Sequence, residues 1–88
     1  MYNSVNIKQE AIDMIFEKIK KLLAEQINIS EDEIKMESDI INDLGADSLD
    51  VVEMIMGVET EFNVTVPDEV AMEMKTIGDV VAFIEKNQ

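Results

Sequence analysis

The chain contains no cysteine and no histidine among its 88 residues. Without cysteine it can form neither disulfides nor thiolate metal sites, and the redox compartment stays open. Without histidine, a serine lacks the base that most often turns a hydroxyl into a nucleophile. Cations are scarce as well: all seven are lysines, against 20 acids, for a formal charge of −13. Such an excess repels nucleic acid and anionic membranes, so neither is an expected partner. No apolar run approaches the ~20 residues of a membrane span, and Met1 to Lys8 lacks the apolar core of a signal peptide. The expected location is the cytoplasm, with no membrane insertion.

What the chain does have is a hydrophobic content of 47%, enough for a core despite the charge. Its length suits one small domain, residues 1–88, expected to be monomeric. A chain this short is expected to be unable to bury a core and also enclose a substrate pocket of several hundred Å3. The expectation is therefore that the chain is not an enzyme.

The apolar residues are spaced for helices. From Asn6 to about Gln26, Ile12, Ile15, Phe16, Ile19, Leu22 and Leu23 recur at three- and four-residue steps and form one stripe. Asn6 with Gln9 reads as a capping box at its start, and Ser30 with Glu33 as a second, opening a short turn. Residues 27–47 form a long first loop that is functional or partly helical, with Ile27, Ile29, Ile34 and Ile40 as anchors. A second long helix should begin at Ser48 and end near Phe62. Asn63 to Val66 reads as extended chain before the proline. Pro67-Asp68-Glu69 opens a short helix ending near Met74. Thr76 can cap the last helix, with Ile77, Val80, Val81 and Ile84 on one face. The expected fold is an all-α, small four-helix bundle of three longer helices and one short one.

The helix after Ser48 carries two apolar faces. Val51, Met54, Ile55, Val58 and Phe62 cluster on one side and should meet the core. Leu49, Val52 and Met56 fall opposite, bracketed by Asp50, Glu53 and Glu59. They are either scattered surface apolars or a greasy patch with an acidic rim, the anatomy of a modest protein interface. Between Lys35 and Lys75 the chain holds 11 acids and no base. Such a run is either a solvated face or a docking surface for basic partners.

Ser48 stands where glycine-containing loop gives way to helix, in the run Asp43-Leu44-Gly45-Ala46-Asp47-Ser48-Leu49-Asp50. Its simplest role is capping. Asp43, Asp47 and Asp50 show no sign of the apolar pocket that would fit a carboxylate for base work. A calcium loop counted from Asp39 fails too, with Leu44 where glycine is needed and no glutamate at the twelfth position, so no metal site is expected. A hydroxyl at a helix N-terminus is also a place where a phosphate is welcome.

The same eight residues, continuing through Val52-Glu53, resemble the signature of acyl carrier proteins, above all the discrete carriers of type II fatty acid synthesis. The likeness extends to Phe62 and the Val66-Pro67-Asp68-Glu69 turn. It implies a four-helix bundle in which Ser48 receives 4'-phosphopantetheine from coenzyme A through a separate phosphopantetheinyl transferase. Asp47 matches the acid that assists this magnesium-dependent transfer. The arm's thiol would bear acyl thioesters for a chain that has no thiol of its own. The acyl chain is expected among Met54, Ile55, Val58, Phe62 and Ile77. Leu49, Asp50, Val52, Glu53, Met56 and Glu59 match positions that dock onto basic patches of fatty acid synthesis enzymes and acyltransferases. Gly57, Thr60 and Met72 depart from the family's habit. Two alternatives stand beside this reading: a specialised carrier for D-alanyl or polyketide units, and a non-enzymatic acidic adaptor.

Overall fold

The structure, a computed structural model, describes residues 7–87. Helix α1 runs Ile7–Ile27, so Gln9 lies in its first turn while the Asn6 half of the expected capping box lies outside the described residues. Ile15, Ile19 and Leu23 from its stripe are sealed in the core. Asn28 ends the helix in the left-handed region at φ 60°, and the Ile29 amide donates back to the Ala24 carbonyl at 3.1 Å, a Schellman-type closure.

The loop that follows is ordered from both ends. Ser30 and Glu33 form the expected capping box around a 3-10 turn, Glu31–Glu33. Farther on, the loop is tied to the segment before the last helix. Ile40 donates to the Lys75 carbonyl at 2.9 Å, Ile77 to that of Ser38 at 3.1 Å, and Gly78 to that of Met36 at 2.8 Å. Ile34 and Ile40 are buried between these ties.

Helix α2 spans Ser48–Phe62 and stops at Asn63, φ 56°. Helix α3, Asp68–Glu73, has Pro67 at its cap position, one residue outside the first turn expected for it. Helix α4 runs Ile77–Asn87. Thr76 caps it as expected: its hydroxyl accepts from the Asp79 amide, and the Asp79 carboxylate accepts from the Thr76 amide, both at 3.1 Å. Packing α1 against α4 and α2 brings their apolar stripes together and buries Met54, Val58, Ile77, Val80, Val81 and Ile84 almost completely. Among the described residues the architecture is the expected one, three longer helices and one short.

Candidate functional site

The approach to Ser48 is built by a carboxylate-centred turn. Asp39 Oδ1 accepts from the amides of Ile41 and Asn42 at 3.0 and 2.8 Å, and its Oδ2 from the Asn42 side chain at 3.2 Å. The Asn42 amide, more than any other contact, holds the Asp39 carboxyl below the ordinary carboxylate value; partial desolvation opposes it. Gly45 then takes a positive φ of 80°, which favours a residue without a β-carbon. Ala46 follows, 2% exposed, and pins the loop to the core.

The cap of α2 belongs to Asp47, not to Ser48. Asp47 Oδ1 accepts from the Asp50 amide at 2.9 Å, and Asp50 Oδ2 accepts from the Asp47 amide at 3.1 Å. Ser48 is the first helical residue and exposed, so its hydroxyl is left out of the cap. The first amides of a helix have no intrahelical partner, and the dipole there is positive. A phosphate esterified to Ser48 would therefore meet a favourable field. From behind, the Gln26 side chain of α1 donates to the Asp50 carbonyl and ties this first turn to the bundle.

The two faces of α2 separate as the sequence implies. Met54 and Val58 are 0% and 1% exposed, whereas Leu49, Val52 and Met56 are 64%, 53% and 59% exposed. Glu53 is exposed among them. Glu59 is also a structural group: its carboxylate accepts from the Val66 amide at 2.8 Å and holds the α2–α3 connection against α2.

Beside Ser48 lies a cavity of about 570 Å3 between α2, α3 and the Asp39–Asn42 turn. Its apolar wall includes Ile40, Val51, Ile55 and Met74, and its most exposed members are Met56 and Met72. The sequence leads to the expectation that so short a chain cannot enclose a pocket of this size, and the core does not enclose this one. The room comes from a groove open to solvent at the helix edges, so the core need not enclose it. Of the five residues expected around an acyl chain, Ile55 alone lines the cavity. Met54, Val58 and Ile77 are sealed in the core. Phe62 packs at the far end of α2, with the Lys18 ammonium 5.8 Å from its ring centre. The cavity opens where the two faces of α2 meet, and its remaining lining comes from α3 and the loop, which no helical periodicity reveals.

Among the described residues no group of three or more acidic side chains is placed to hold a metal ion, and no helix is long and apolar enough to cross a membrane.

Residues 17–84 match the family described as PP-binding, phosphopantetheine attachment site. The chain is 54% identical over 72 residues to the acyl carrier protein of Clostridium acetobutylicum, covering 82% of this chain and 94% of that one. It is 51% identical over 74 residues to that of Wolinella succinogenes, covering 84% and 97%. With that of Campylobacter lari it shares 53% over 74 residues, covering 84% and 96%.

Proposed function

The chain belongs to the acyl carrier protein family, and on that premise we propose that Ser48 is the residue that bears its 4'-phosphopantetheine. When bound, that group supplies the thiol on which acyl groups ride as thioesters. The observation that carries the assignment is the position of the Ser48 hydroxyl. It is exposed, outside the cap, at the positive end of a 15-residue helix and on the edge of an apolar cavity. A phosphopantetheinyl transferase would bring the chemistry; Ser48 would contribute the oxygen that bonds to phosphorus, giving up its proton as the nucleotide phosphate of coenzyme A leaves. Asp47 fixes the first turn through its cap and assists that transfer.

The chain then acts as one acyl carrier domain, residues 1–88, that is handed between enzymes and is no catalyst itself. Leu49, Val52 and Met56 form the apolar contact, and Asp50, Glu53 and Glu59 the acidic rim that meets basic patches on fatty acid synthesis enzymes and acyltransferases. A small charged interface suits contacts that must form and part quickly. The acyl chain lies against Ile55, as the resemblance implies, and against Val51, Ile40 and Met74. A monomer in the cytoplasm meets these needs.

Intact mass of the chain taken from its native host tests the reading. The expected mass exceeds that of the polypeptide by the arm and an acyl group, and hydroxylamine, which cleaves thioesters, removes the acyl part alone. An unmodified mass, together with normal function of Ser48→Ala in that host, would replace the carrier with the acidic adaptor.

A further inference from the structure

Seven methionines are many for 88 residues, and three of them, Met56, Met72 and Met74, line the cavity beside Ser48. They differ in access. Met74 is 8% exposed, whereas Met56 from α2 is 59% and Met72 from α3 is 82% exposed. Met14, 61% exposed on α1, is the matching methionine away from that cavity, and Met54, 0% exposed, is the buried one.

We propose that Met56 and Met72 are a peroxide-sensitive modification site, whose oxidation to sulfoxide lowers the cavity's affinity for apolar ligands. The sulfur lone pair of either thioether attacks the outer oxygen of hydrogen peroxide. An S–O bond forms and the O–O bond breaks. Sulfur loses two electrons, peroxide gains them, and the other oxygen leaves as water after proton transfer. Oxidation follows access, so the two rim thioethers react before Met54 and Met74. Each product replaces an apolar, polarisable group with a strong S–O dipole. An apolar ligand entering past that dipole must strip its water without offering a hydrogen bond in return. Met56 also belongs to the outer stripe of α2, so the same event makes the proposed docking face more polar. The consequence for acyl cargo rests on the carrier reading, whereas the oxidation and the loss of apolar binding do not.

The test uses the full chain without its arm, treated with limiting hydrogen peroxide, and the apolar dye anilinonaphthalene sulfonate as the cavity probe. Peptide mapping should find Met14, Met56 and Met72 oxidised about tenfold or more faster than Met54 and Met74. The dye's Kd should rise roughly fivefold to tenfold in the oxidised protein, and methionine sulfoxide reductases should restore it. Met14→Leu should respond as the unaltered chain does, and the Met56→Leu/Met72→Leu chain should not respond. Four results overturn the proposal: no dye binding before oxidation, unchanged binding with both sulfoxides present, an equal loss in the doubly substituted chain, or loss of helical circular dichroism on oxidation. If Ser48 takes up no arm in a separate transferase assay, the carrier reading fails while the dye result still judges the site.

Discussion

A β-carbon on Gly57 would stand 2.8 Å from Leu22 Cδ1. The glycine inside α2 thus makes room for the half-buried Leu22 of α1, where the two helices pack. Alanine would gain about 1 kcal/mol in helix propensity but must push the Leu22 tip aside, at a cost of similar size. Gly57→Ala should therefore leave the melting temperature nearly unchanged. In a Leu22→Ala background the same substitution should stabilise by about 1 kcal/mol, because the obstacle is gone. Denaturant titration of the four chains reads the cycle; additive effects would show that Leu22 does not constrain position 57.

The faces of α2 were legible in the sequence because they follow one period. Leu49, Val52 and Met56 are exposed while Met54, Ile55 and Val58 are buried, as the spacing implies. Within residues 27–47 the Ser30–Glu33 capping box and the buried Ile34 and Ile40 were legible, whereas the ties that order the rest were not, because they pair Ile40 and Met36 with Lys75 and Gly78, far along the chain. The cap, which the sequence assigns to Ser48, falls to Asp47 for a local reason. Asp47 and Ser48 are both good caps, and only the backbone decides which stands outside the helix. The cavity was the least legible part, since Ile40 and Met74 join Ile55 only once α3 and the loop are in place.

Asp79 Oδ2 accepts from the amides of Lys75 and Thr76 at 3.0 and 3.1 Å. These two backbone bonds, Lys75 first, hold its carboxyl below the ordinary 3.8, against a smaller desolvation effect. A lowered folded value means that the stabilisation is present above 3.8 and is lost as pH falls through that lowered value. Asp79→Ala should lose about 1 kcal/mol at pH 7. Melting curves across pH should show the gap closing only in the acid range; a gap that persists undiminished there would contradict this.

Self-repulsion should leave its mark on stability. Among the described residues the ion pairs are Lys18–Glu61 and Lys20–Glu17, and neither involves the acids around Ser48. Salt should raise the melting temperature by screening, and magnesium or calcium should raise it more at equal ionic strength, because divalent ions gather loosely at an acidic surface without a coordinating site. Calorimetry in the three salts measures this, and an indifferent melting point would show that repulsion is not a governing cost.

Glu53 is exposed on the outer face of α2, so its charge can be reversed without disturbing the core. Glu53→Lys should lower kcat/KM with a phosphopantetheinyl transferase roughly tenfold at low salt, with the difference shrinking as ionic strength rises. Unchanged circular dichroism should accompany the loss. Equal rates for the two chains at low salt would remove Glu53 from the docking surface.

Attachment at Ser48 can be read directly by mass. Intact mass after incubation with coenzyme A, magnesium and a phosphopantetheinyl transferase should show the chain heavier by one 4'-phosphopantetheine, and Ser48→Ala at its polypeptide mass. No gain in the unaltered chain, or the same gain in Ser48→Ala, would contradict it.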